Sequence, residues 1–185
     1  MKPRISPLLI AFFAAAAALG NTALLGQGSP PETPPADPAD VASIEAIVHA
    51  LYDVISGEAG EARDWDRMHS LFIPGARLIP TGGNSTTGRR HTVQTVDDWI
   101  AGVGGFFEQS GFFERELHRA VEQYGNIAHV FSTYDSKRAL SDPEPFARGI
   151  NSFQLWNDGT RWWVVTIFWE GESPENPIPA KYLGR

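Results

Sequence analysis

Residues 112–172 read as four consecutive β-strands joined by short turns, and nothing else in the chain limits its fold as much. Gly125-Asn126 separates two alternating runs, 113–124 and 127–138. Asn157-Asp158-Gly159 separates two more, 150–156 and 161–170. Gly, Asn and Asp tolerate the left-handed backbone of a tight turn, so such residues between alternating runs mark hairpins. Three helical patterns precede this meander. The reading is an α+β fold, with N-terminal helices packed on a strongly curved antiparallel sheet that encloses a pocket.

With 42% hydrophobic and 11% aromatic residues, the 185-residue chain has enough apolar material for one domain with a true core. Its start is different in kind. Lys2 and Arg4 form a basic head, Leu8 to Leu19 is an apolar run of twelve, and Ala18-Leu19-Gly20 offers a small-x-small cleavage site. Residues 1–28 therefore read as a secretory signal peptide, because the run is short of the roughly 20 residues that span a bilayer. Export follows, to a periplasm or the medium, with no membrane attachment after cleavage. Residues 29–39 are a Pro-rich linker: five prolines fall among residues 29–40, and proline lacks an amide donor. The domain is expected over residues 40–172 and an irregular tail over 173–185.

Cysteine is absent, which excludes disulfides, thiol nucleophiles, Cys-based metal sites and a lipidated cysteine. The formal charge is −7, and loss of Lys2 and Arg4 takes it to −9. Such an acidic chain, with no basic run longer than Arg89-Arg90, is not built for nucleic acid or anionic membranes. No HEXXH, Walker, GxGxxG or GxSxG pattern occurs, so neither a metal nor another cofactor is expected.

Val41, Ile44, Ile47, Val48, Leu51, Tyr52 and Ile55 recur at helical spacing, with Asp40 as N-cap. Asp64 caps a second, short helix whose stripe is Trp65, Met68, His69 and Phe72, stopped by Pro74-Gly75. A short strand at 76–80 and a polar loop at 81–87 follow. Thr95 and Asp98 open a third helix as a capping box. Val96, Trp99, Ile100, Val103, Phe106 and Phe107 form its apolar face. Its Gly102, Gly104 and Gly105 point to close packing or a kink.

The segment DWDRMHSLFIPGARL (64–78), the hairpin YGNIAHVFSTYDS (124–136) and the closing WNDGTRWWVVTIFWEGE (156–172) together resemble the superfamily that includes nuclear transport factor two, ketosteroid isomerase and scytalone dehydratase. The resemblance implies a cone in which helices and a concave sheet surround a cavity, often dimeric through the sheet's outer face. It implies no single activity, since members include isomerases, dehydratases, cyclases, epoxide hydrolases and proteins without chemistry.

Strand alternation selects the residues that reach the pocket. Pairing about Gly125-Asn126 sets Gln123 against Ala128, Val121 against Val130, Arg119 against Ser132 and Leu117 against Tyr134. The apolar members make this the inward face, carrying Arg119, Ser132 and Tyr134. Glu116, His118, Glu122, His129, Phe131 and Asp135 turn outward, so no carboxylate of this hairpin reaches the pocket. A one-residue slip exchanges the two sets.

Tyr134, His69 and His91 are the candidate catalytic residues, in partial imitation of the histidines and tyrosines of the scytalone-dehydratase type. Trp65, Trp99, Arg119 and Ser132 are the candidate ligand-binding residues, Arg119 being equally able to pair with Asp135 or Glu116. The leading reading is an exported domain that binds a small, largely apolar molecule in an aromatic pocket. The alternatives are a cofactor-independent lyase or isomerase and a homodimeric protein-interaction module.

Overall fold

A computed structural model describes residues 33–184 of the chain. The expected signal peptide, and the linker before residue 33, lie outside the described residues.

The helices form largely where the spacing requires, with one boundary redrawn. The first pattern splits into α1 (Pro38–Val41) and α2 (Ile44–Ile55). Ser43 is extended (φ −148°, ψ 165°) and its hydroxyl accepts from the Ala46 amide at 3.0 Å. Asp37 caps α1 in the same way. Asp40 is therefore not the expected cap. It accepts the Arg67 fork at 2.7 and 3.0 Å instead and ties α1 to α3 (Trp65–Ser70). Asp64 caps α3 as expected, accepting from the Arg67 amide at 2.8 Å. The capping box of α4 (Val96–Gln109) forms in both halves, between Thr95 and Asp98. Gly102, Gly104 and Gly105 have open space where a Cβ would stand. Close packing does not explain them.

Pro74-Gly75 does not end α3, which has already stopped at Ser70. The pair lies inside β1 (Phe72–Asn84), where the pairing with its neighbour shifts between Phe72 and Arg77 and Gly75 takes φ +83°. The expected short strand and loop are thus one long strand turning into β2 (Gly88–His91). The meander follows as β3 (Phe113–Tyr124), β4 (Ile127–Lys137), β5 (Ala147–Asn157) and β6 (Trp162–Gly171). Sheet order is β2-β1-β6-β5-β4-β3. All pairings are antiparallel except β1 with β6, which is parallel and joins the first strand to the last. The sheet is curved, as the resemblance implied, but it is unclosed and not purely antiparallel.

The core lies between the helices and the inner face of the sheet. Ile47, Val48, Met68, Leu71, Leu78, Val130, Phe153 and Val164 are almost wholly buried there. The tail is more than irregular. It includes a 3-10 turn (Ala180–Tyr182) and lies on the outer face, where the Thr133 hydroxyl donates to the Tyr182 carbonyl at 2.6 Å. The Tyr182 ring meets Phe131 at 4.9 Å between centroids. No helix among the described residues is long and apolar enough to cross a membrane.

One irregularity in β3 determines the chemistry of the inner face. From the turn, Gln123, Val121 and Arg119 pair with Ala128, Val130 and Ser132, as the alternation requires. At Leu117 the register shifts: His118 pairs with Thr133, and Glu116, not Leu117, pairs with Tyr134. Leu117 is the extra residue of a β-bulge, and an extra residue turns the remainder of the strand over. Glu116 and Glu114 therefore share the inner face with Tyr134 and Ser136. The expectation that no carboxylate of the hairpin turns inward is overturned.

Candidate functional site

A cavity of about 320 Å³ opens between α2, α4 and the inner face of the sheet. That is near the low end for small-molecule sites, about 300–1,000 Å³. Its walls are mostly apolar, with Leu51, Met68, Trp99, Phe107, Phe153 and Ile167 prominent. Four aromatic side chains from α4 and its flanks are linked: Trp99 to Phe107 at 6.0 Å, Phe107 to Phe112 at 4.7 Å, and Phe106 to Phe112 at 6.4 Å. Phe106 and Phe146, 39% and 47% exposed, are the lining residues most open to solvent and mark the mouth. The polar side chains reaching this space are few: Tyr52, Glu114, Tyr134, Ser136 and Asn151.

Glu114 is the distinctive member. It keeps some accessible surface because it faces the cavity, yet protein surrounds it, and burial pushes its carboxyl up from 4.5 to about 7. Hydrogen bonds from Ser136, at 2.8 Å, and from the Asn151 amide offset only part of that effect. A carboxyl in apolar surroundings resists ionisation because the anion loses its hydration. Glu114 therefore exchanges a proton near neutrality. Tyr134, 7% exposed, shares the cavity, and burial followed by the Glu114 charge raises its hydroxyl pKa, so it stays a donor. No described residue makes a hydrogen bond to that hydroxyl. It lies against Gly149, where a Cβ would come within 2.5 Å of the phenolic oxygen, so the glycine makes room for the tyrosine.

Behind the cavity wall runs an ordered polar chain. The Asn151 amide donates to the Tyr52 hydroxyl at 3.1 Å, and Tyr52 meets the Ser132 hydroxyl at 2.7 Å. Ser132 donates to Glu116 at 2.6 Å, and Arg119 donates to the other Glu116 oxygen at 2.7 Å. Because the single Ser132 proton goes to Glu116, Tyr52 must donate to Ser132 and accept from Asn151. Burial raises the Tyr52 pKa, and the hydroxyl remains protonated in this chain. The chain fixes the Asn151 amide beside Glu114.

Of the residues singled out by sequence, Tyr134 and Trp99 line the cavity. Trp65 stands behind the wall, stacked on Phe107 at 6.3 Å. Ser132 is wholly buried in the polar chain and is not part of the lining. Arg119 pairs with Glu116 in a separate polar recess beside His49 and Asp53, while Asp135 takes Arg115 at 2.9 and 3.0 Å. His69 lies outside the cavity, 3.1 Å from Asp97, and His91 lies on the outer side of the sheet beside Arg89 and Arg90. Neither histidine is brought to Tyr134. Among the described residues no three His, Asp or Glu side chains gather as metal ligands.

Sequence reasoning missed Glu114, Tyr52 and Asn151. Phe113, Leu117 and Val121 are all odd-numbered, so the run looks like one unbroken face and nothing in it announces the bulge. Tyr52 reads as one more apolar position of α2.

Helices packed on a curved, unclosed sheet give the described residues the nuclear-transport-factor-two-like fold. A protein of unknown function with a cystatin-like fold from Nostoc punctiforme superposes with a TM-score of 0.53 at 8% identity, over 72% of this chain and 91% of that one. A Kribbella flavida protein gives 0.50 at 12% identity, over 71% and 90%. A nuclear transport factor 2-like superfamily protein from Salmonella enterica gives 0.48 at 16% identity, over 68% and 86%. No family model matches the chain. At these identities the likeness concerns the fold alone.

Proposed function

We propose that the cavity binds one small, largely apolar molecule and that Glu114 and Tyr134 receive its polar end. The observation that carries this reading is the placement of these two side chains within walls that are otherwise mostly apolar. A ligand oxygen there meets the Tyr134 hydroxyl as donor and, below about pH 7, a protonated Glu114 as a second. The Tyr134 hydroxyl is costly to leave unpaired in apolar surroundings, so a ligand that satisfies it gains affinity and orientation. Export to a periplasm or the medium belongs to this reading and rests on the sequence of residues 1–28.

Calorimetry with 2-naphthol as the probe tests it. Tyr134→Phe and Glu114→Gln are each expected to weaken binding by about tenfold. Val103→Trp, which fills the cavity from α4, is expected to abolish it. Binding that ignores all three substitutions places the probe elsewhere and refutes the reading.

The proton affinity of Glu114 favours a second reading, a cofactor-independent isomerase or lyase. A carboxyl whose pKa burial raises to about 7 exchanges its proton near neutrality, the condition under which one carboxylate can remove a proton and return it. The substrate would carry a C–H bond next to a carbonyl, with Tyr134 donating to the carbonyl oxygen as negative charge develops. The histidines expected as bases have no part in it. Deuterium uptake from D2O at the carbon next to the carbonyl of 2-tetralone, followed by NMR, provides the assay. The expected rate rises with pH through about 7 and falls at least about 100-fold in Glu114→Gln. Uptake no faster than in buffer rules out the catalytic reading and leaves the binding one.

A further inference from the structure

Beside the cavity's mouth, outside its lining, stands a cation whose role the polar groups inside do not explain. Arg138 follows the end of β4 and is exposed. Its guanidinium carbon lies 4.7 Å from the centroid of the Phe146 ring and 5.4 Å from that of Phe106, the two rings that rim the opening. Stacking on two faces holds a guanidinium in place while leaving its N–H groups pointing outward from the stack. No described carboxylate lies within 4 Å of it, and its side chain makes no hydrogen bond to a described residue. Asp142, four residues on, is occupied with the Arg138 and Ala139 amides at 3.1 and 3.0 Å. Of the other described arginines near this cavity or the neighbouring recess, Arg119 pairs with Glu116 and Arg115 with Asp135, while Arg63, 5.8 Å from the Phe107 centroid, donates to the Ile55, Gly57 and Glu61 carbonyls. Arg138 is the positioned cation that is left over.

We infer that Arg138 receives the carboxylate of the bound molecule, which makes the ligand of the proposed cavity a small aromatic or alicyclic acid bound with its acid group at the mouth. The inference rests on the binding reading above and adds the charge and direction of the ligand. Two features impose that direction. Inside, Glu114 repels an anion whenever it is ionised and has no cation beside it within the lining. At the mouth, Arg138 offers a fork shaped for a carboxylate between two rings that shield its faces from water. The neutral oxygen of the ligand then points inward to Tyr134 and Glu114, and its rings lie against the apolar wall to which Trp99 and Phe107 belong. The chain's net charge of −7 does not draw acids to it, so the preference must come from this one residue.

A matched pair of probes separates this inference from the reading beneath it: 6-hydroxy-2-naphthoate and 6-hydroxy-2-naphthamide, which differ in the charge at one end. Calorimetry at low ionic strength is expected to show the acid binding the wild-type chain about tenfold more tightly than the amide. Arg138→Gln should remove that preference without weakening the amide, and Arg138→Lys should keep part of it. Added salt should shrink the preference, since the mouth is open to solvent. Equal binding of acid and amide, or an acid preference that survives Arg138→Gln, overturns the inference and leaves the cavity reading intact. If neither probe binds, or if Val103→Trp leaves both unaffected, the cavity reading falls and the inference with it.

Discussion

Replacing Glu114 by Gln gives the most direct test of the buried carboxyl. Burial moves its pKa from 4.5 in ordinary surroundings to about 7. Each tenfold change in proton affinity corresponds to about 1.4 kcal/mol, so the folded chain holds this proton by about 3 kcal/mol more than the unfolded chain does. The sign follows from a raised pKa: the folded state binds the proton more tightly. The stabilisation is therefore complete below the unfolded value of 4.5 and is lost as pH rises through about 7. Gln cannot ionise, and its amide oxygen can still accept from Ser136. Urea unfolding of wild type and Glu114→Gln from about pH 4 to about pH 8 isolates the effect, because the other titrating groups are common to both chains. The two should be nearly equal at the acid end. The variant should become the more stable by about 3 kcal/mol at the alkaline end, with most of the change below about pH 7. A difference that stays flat with pH would show that Glu114 is solvated like a surface carboxylate, and the argument for the site would fail with it.

Two further predictions concern geometry. Deleting Leu117 removes only the unpaired residue of the bulge and leaves Glu116 opposite Tyr134, so the chain should lose no more than about 1–2 kcal/mol and keep its wild-type pH dependence. Disappearance of that dependence in the same urea titration would mean that the strand has no bulge and that the deletion turned Glu114 outward. Gly149→Ala should cost about 1–3 kcal/mol, because a Cβ there meets the Tyr134 oxygen at 2.5 Å and the Glu170 carbonyl at 2.6 Å. Gly105→Ala, in open space on α4, should stabilise by up to about 1 kcal/mol. Thermal melts that reverse this order would contradict the packing described at both positions.

Local chemistry made much of the architecture legible. Asp64 and Thr95 cap their helices because a short polar side chain before an apolar stripe satisfies free amides, a rule that needs no tertiary information. Gly125-Asn126 set the hairpin register from Arg119 to Tyr124 because a two-residue turn admits one pairing. The same locality explains the failures. Whether Pro74-Gly75 ends a helix or bulges a strand depends on β6, which lies about ninety residues away in sequence and pairs with β1 in parallel. Leu117 has the parity of its apolar neighbours, so only the seating of β3 against β4 could expel it and bring Glu114 and Glu116 inward. His69 and His91 looked available because sequence reports a residue's type and periodicity, while distance to Tyr134 is a property of the packed chain. From its own residues the chain determined helices, turns, a two-faced sheet and one inward tyrosine. Tertiary structure alone decided which acid shares that tyrosine's cavity, because a single unpaired residue reverses every side chain beyond it.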